Sequence, residues 1–228
     1  MPQQRFRVRF RKGERVRYIS HLDVLRAWER SLRRAELPLA YSQGFTPHPK
    51  LAFASPLPLG FVSDAEVMDV TLDDRVELPE FVRRLSEQTT EDLAVVGVEE
   101  VAPTAQAPQA AMLWCDYRLT LAVDPREAEA AVGNFMALDS MQFKEDRGER
   151  VREYDLRKAC AWLRTTPVDG GVQLDMRLQS DQELTARPEA IVAALFPGQT
   201  SPLIARTNIV LDERSVAREL WRRTGQYQ

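Results

Sequence analysis

Residues 5–11 read Arg-Phe-Arg-Val-Arg-Phe-Arg, an alternation without a break. Phe6, Val8 and Phe10 fall on one side of an extended chain, and Arg5, Arg7, Arg9 and Arg11 on the other. Period two with a single apolar face specifies a half-buried strand. That face needs a second layer to cover it. The next segment supplies one. Ser20 stands at an N-cap position, with Asp23 three residues on, the capping-box pattern. Leu22, Leu25, Trp28, Leu32 and Ala35 then recur at spacings of three and four, one apolar stripe of a helix. Arg26, Arg30, Arg33 and Arg34 lie off the stripe, and Pro38 ends the helix.

The pattern continues as strand, strand, helix, strand. Lys50 to Ala54 and Ala65 to Leu72 are strand candidates, Pro79 opens a short amphipathic helix, and Leu93 to Val101 reads as a strand. Residues 102–111, Ala-Pro-Thr-Ala-Gln-Ala-Pro-Gln-Ala-Ala, have no periodicity and read as a linker. Beyond them Leu113 to Val123 is a strand, and Asp124-Pro125 starts a helix to about Asn134. Residues 149–165 read as strand, helical turn and strand. Val172 to Leu178 is a strand, Pro188 opens a helix to Phe196, and Pro202 to Leu211 is the last strand. A short helical tail through Trp221 follows. The same order thus occurs twice. The expected class is α+β, two tandem ferredoxin-like (βαββαβ) units: 1–101, a linker at 102–111, and 112–228 with the tail.

Charge is unevenly placed. The 228 residues carry 31 Lys+Arg against 34 Asp+Glu, but the first 50 residues hold 12 basic and 4 acidic side chains. Such a block is an electrostatic footprint for a polyanion, or a solvated face balanced by acidic neighbours. The two cysteines, Cys115 and Cys160, have no metal-ligand spacing and read as buried small hydrophobes. No apolar run approaches the roughly 20 residues that cross a bilayer. The start is unlike a signal peptide, so a reduced, cytoplasmic protein is expected.

The sharpest local feature is Ala40 to Lys50, Ala-Tyr-Ser-Gln-Gly-Phe-Thr-Pro-His-Pro-Lys. Pro47 and Pro49 stiffen it, and Gly44 permits a positive φ. Tyr41 and Phe45 offer rings, Gln43 and His48 polar groups, and Lys50 a cation, the ingredients of a single-stranded nucleic-acid surface. A core-packed connection with both rings buried fits the same residues. Arg26, Arg30, Arg33 and Arg34 would add phosphate contacts, as would Arg157 and Arg187, although ion pairing explains the last two equally well. His21 and His48 are the chain's two histidines and its only acid–base candidates for a catalytic role. No residue set has the spacing of a metal or cofactor motif.

The stretch Tyr18 to Gly60, with Asp155-Leu156-Arg157 and Thr185 to Phe196, resembles the radical-SAM-linked family of bacterial proteins. The resemblance covers almost the whole chain. It implies the stand-alone form, without cluster-binding cysteines, and a radical SAM protein as partner. It implies no activity and no cofactor for this chain. The functional expectation is a non-catalytic RNA-binding or substrate-presenting accessory of a radical SAM enzyme, with tRNA or rRNA as its RNA. The alternatives are a subunit that docks on that partner without RNA, and a metal-independent ribonuclease using His21 and His48.

Overall fold

The alternating segment is strand β1 (Gln4–Lys12). In this computed structural model, which describes residues 3–146, 151–201, 203–212 and 219–222, both faces of β1 find partners. The chain divides into two compact units, residues 1–112 with 211–228, and residues 113–210. The class is α+β, with a mainly antiparallel sheet and five α-helices among the described residues.

The first unit runs β1, α1 (His21–Arg34), β2 (Leu51–Phe53), β3 (Val62–Leu72), α2 (Leu78–Ser86), β4 (Val95–Val101). Its strands are antiparallel, with β1 between β4 and β3, and β2 on β3. Both helices cover the face that carries Phe6, Val8 and Phe10. The Phe10 and Trp28 ring centroids are 4.8 Å apart, and those of Phe6 and Phe81 4.3 Å. The capping box closes as expected: the Ser20 hydroxyl accepts from the Asp23 N–H at 3.2 Å, and the Asp23 carboxylate accepts from the Ser20 N–H at 3.3 Å. The buried stripe of α1 is Val24, Trp28, Ser31 and Leu32, so one expectation changes: Leu22 is 61 % exposed. At about 100° per residue, Val24 lies about 40° from Trp28 around the helix and Leu22 about 120° away.

The arginine face of β1 is not open to solvent. Arg7 grips Asp69 through two bonds, Nε to Oδ1 at 2.8 Å and Nη2 to Oδ2 at 3.0 Å, and both side chains are 2 % exposed. Arg7 also donates to the Gln106 carbonyl at 3.0 Å, and Arg5 donates to that of Ala105. The stretch read as a linker is therefore pinned to β1 by its carbonyls, and its last residues form a single helical turn, α3 (Pro108–Ala111).

The helical tail is corrected. Residues 219–222 form strand β11 (Glu219–Arg222), antiparallel to β4; residues 213–218 and 223–228 lie outside the described residues. An unpaired strand edge offers a row of backbone donors and acceptors. Pairing with it satisfies groups that an isolated helical turn would leave open.

The second unit runs β5 (Met112–Leu121), α4 (Pro125–Met136), β6 (Gln142–Asp146), β7 (Val151–Asp155), β8 (Cys160–Val168), β9 (Gly171–Gln179), α5 (Pro188–Leu195), β10 (Ile204–Leu211). The order across its sheet is β10-β5-β9-β8, while among the described residues β6 and β7 form a two-stranded sheet of their own. Asp124 caps α4, accepting from the N–H groups of Arg126 and Glu127 at 2.9 and 3.2 Å. Helix α4 packs on β8 and β9 and touches α5. Cys115 and Cys160 are both buried and unbridged, as expected. Burial pushes the Cys160 thiol up to about 12. Strand β6 was not legible. Its charged run offers one large apolar side chain, Phe143, which meets Tyr154 of β7 edge-on at 6.0 Å.

Among the described residues, no helix is long and apolar enough to cross a membrane.

Candidate functional site

Residues 41–49 form a hairpin tied by its own backbone. Tyr41 and Pro49 bridge, the Ser42 N–H donates to the His48 carbonyl at 2.9 Å, and the His48 N–H donates to the Ser42 hydroxyl at 3.0 Å. At the tip Gly44 takes φ 139°, a conformation that a side chain would strain. Next to it stands Phe45, 109 % exposed, with its whole ring in solvent. Gln43, His48 and Lys50 are exposed as well, and Tyr41 is 37 % exposed. The core-packed reading of this loop is thus corrected for Phe45. The hairpin buries little beyond Pro49 and leaves the ring outside.

The basic block is largely spent within the first unit. Arg5 and Arg7 share Asp69, Arg11 faces Asp64 at 3.4 Å, Arg15 faces Asp92 at 3.8 Å, and Arg17 pairs with Glu14 at 3.0 Å. Lys12 is buried and donates to the carbonyls of Arg17 and Ile19. On α1, Arg26 leans on Asp23 at 3.6 Å, and Arg34 donates to the Gln88 carbonyl at 3.0 Å. Arg30, Arg33 and Lys50 are exposed and have no ion pair among the described residues. The strand arginines and the helix arginines lie on opposite faces of this unit's sheet. A single positive surface made of both sets is therefore excluded. What remains exposed in this unit is the outer face of α1 and the hairpin, linked along the chain by residues 35–40.

His21 and His48 occupy different settings. His21, at the first turn of α1, packs edge-on against Phe53 at 5.2 Å. With Lys12, Glu66, Phe10, Val24, Phe53 and Leu57 it lines a cavity of about 10 Å³, room for one water at most. Burial lowers its pKa; Glu66 opposes that shift and Lys12 adds to it. His48 sits on the exposed hairpin and is not part of that lining.

In the second unit Arg157 holds local structure. Its guanidinium donates to the Met136 carbonyl at 3.2 Å and the Cys160 carbonyl at 2.9 Å, which closes the end of α4. Those donors are not available to a phosphate. Arg187 stands before α5, half-exposed, with Glu145 at 3.6 Å. Both belong to the second unit, the hairpin to the first.

A family model described as an uncharacterized protein conserved in bacteria, DUF2344, matches residues 5–188. The chain belongs to this family. The matched span of the DUF2344 chain includes α1, the hairpin, α2, α3 and α4, and ends where α5 begins. No curated protein matches it. Among solved structures it is similar in fold to a chain of a Cbf5-Nop10-Gar1 complex, with a TM-score of 0.50 and 10 % sequence identity. The likeness covers 90 % of the DUF2344 chain and 48 % of that chain, so this chain spans about half the length of its structural neighbour.

Sequence reasoning had Phe45 as one ring of two. Only the backbone course of the hairpin separates it from Tyr41. Gly44 and the two prolines were the signal that a rigid tip lay there.

Proposed function

We propose that this protein is a non-catalytic RNA-binding accessory that presents an RNA strand, from tRNA or rRNA, to a radical SAM partner. The observation that carries the reading is the fully exposed Phe45 ring on a stiff hairpin, with Lys50 and the unpaired Arg30 and Arg33 of α1 in the same unit. A solvated phenyl ring gains by stacking on an unpaired base, and unpaired cations gain by displacing counterions from phosphates. The radical SAM partner enters by resemblance of sequence. We also take each unit as a ferredoxin-like fold. The order strand, helix, strand, strand, helix, strand supports this in the first unit, as does the order β10-β5-β9-β8 in the second once the β6–β7 hairpin is set aside.

The test is filter binding of single-stranded and duplex RNA across a salt series. Phe45→Ala is expected to cost roughly 1–3 kcal/mol for single strands and little for duplex. Replacing Arg30 and Arg33 together by alanine is expected to weaken both and to flatten the salt slope. No retention of any RNA at low salt would refute the reading.

A second reading has its own observation. Tyr18, Leu22 and Leu59 are 69, 61 and 63 % exposed, and the Tyr18 ring lies beside Gly60. Exposed apolar side chains near one helix start favour a protein contact. In that case the same alanine variants leave capture of the radical SAM partner intact, while Leu22→Glu abolishes it.

A further inference from the structure

The sheet of the second unit carries helices against one face, where Cys115, Tyr117, Leu119, Val172, Leu174, Met176 and Leu178 are buried. Its other face is laid out in rows by the strand register. Asp116 of β5 lies opposite Arg177 of β9, which lies opposite Trp162 of β8. The next row is Arg118, Asp175 and Arg164, and the next Thr120, Gln173 and Thr166.

Trp162 reaches this face through an irregularity. Cys160 pairs with Leu178, but Trp162 pairs with Arg177, so Ala161 is an extra residue. In unbroken register Trp162 would oppose Met176 and point to the buried side. The bulge turns it over, the usual effect of one inserted residue. Two cations then meet the ring, Arg177 at 5.6 Å and Arg164 at 5.3 Å from its centroid. Asp116 fixes Arg177 through bonds of 2.6 and 2.8 Å, so that guanidinium is held in place. Arg164 is exposed and has no ion pair among the described residues, so it can leave the ring.

We propose that this face is a second binding platform for an unpaired RNA strand, in which a base stacks on Trp162 in place of Arg164 and Arg164 moves to a phosphate. Charge decides between occupants. The cores of protein interfaces are depleted in charged residues, and covering this face with protein would bury Arg118, Arg164, Arg177 and Asp175 together, above an Asp116 that is already buried. A nucleic-acid strand leaves the ion pairs wet and uses the arginine that has none. A sheet face with a half-buried indole offers a π-face and no groove-reading element, so it takes single strands over duplexes. The platform rests on the RNA-binding reading but on different residues.

The test uses the full chain with a 4-thiouridine-substituted oligouridylate, crosslinked by light, and the crosslinked peptides are mapped. Binding of the same oligomer to Trp162→Ala and Arg164→Glu is measured by anisotropy. Crosslinks at 160–166 are expected, with each variant weakening binding by about 5- to 100-fold. Should Trp162→Ala fail to fold, Arg164→Glu decides, because its side chain is exposed and supports no ion pair. Crosslinks confined to 41–50, with Arg164→Glu binding as the parent does, would overturn the platform and leave the hairpin reading standing. Absence of all binding would overturn both.

Discussion

Gly13 shows how much one hydrogen atom can matter. A Cβ built there would lie 2.1 Å from Asp92 Oδ1 and 3.1 Å from Asp92 Cα, and the Gly13 N–H donates to the Asp92 carbonyl at 2.8 Å. A rotamer change can move the carboxylate but not the Cα. Gly13→Ala is therefore expected to destabilise by roughly 1–3 kcal/mol, read by urea denaturation. His21 gives a pH dependence of known sign. Burial holds its pKa below the ordinary value of about 6.5, so the unfolded chain takes up the proton first. Stability is then unaffected well above pH 6.5 and falls as pH drops through 6.5 toward the lower folded value. Histidine→Asn at position 21 is expected to remove that part of the decline. An unchanged pH profile between 7 and 5 would assign it elsewhere.

At the scale of elements, α1 is held at its start by a reciprocal cap and along its length by Val24, Trp28 and Leu32. The cap satisfies N–H groups that the helix itself leaves open. Ser20→Ala is expected to cost about 0.5–2 kcal/mol, measured by thermal or urea unfolding, with Ser20→Asp close to the parent. Strand β1 carries two chemistries on one period, an aromatic face under two helices and a cationic face closed by Asp69 and the carbonyls of residues 105 and 106. A buried Arg–Asp pair is costly to break from one side, since the survivor is left charged without a partner. The hairpin at 41–49 is built the opposite way. Its base is closed by hydrogen bonds between Ser42 and His48, and its ring is left in water.

For the whole molecule, the two cysteines offer a reporter. Cys115 and Cys160 are 0 and 1 % exposed, both in the second unit, and the Cys160 thiol is held protonated. Neither should react with a thiol reagent at pH 8 until that unit opens, whereas both should label at once in denaturant. Labelling of the native protein within minutes would contradict their burial. The alternation of residues 5–11, the cap at Ser20 and the proline helix starts were legible in sequence, because each is a local pattern of period, hydrogen bonding or fixed φ. So was a rigid turn around Gly44 and Pro47. The fate of the basic block was not legible. Arg7 meets Asp69 across 62 residues, and Arg5 reaches the carbonyl of residue 105, so charge counted along the chain says nothing of which cations remain unpaired. Arg157 closing α4, β11 lying on β4 and the bulge that turns Trp162 over depend likewise on partners distant in sequence. The sequence by itself determined most strands and helices and the apolar face of β1, because those are local patterns; it did not mark β6 or β11, and it put Leu22 on the wrong side of α1. The tertiary structure alone decided which arginines are neutralised and which aromatic rings stay in water, because pairing and burial are settled by neighbours in space.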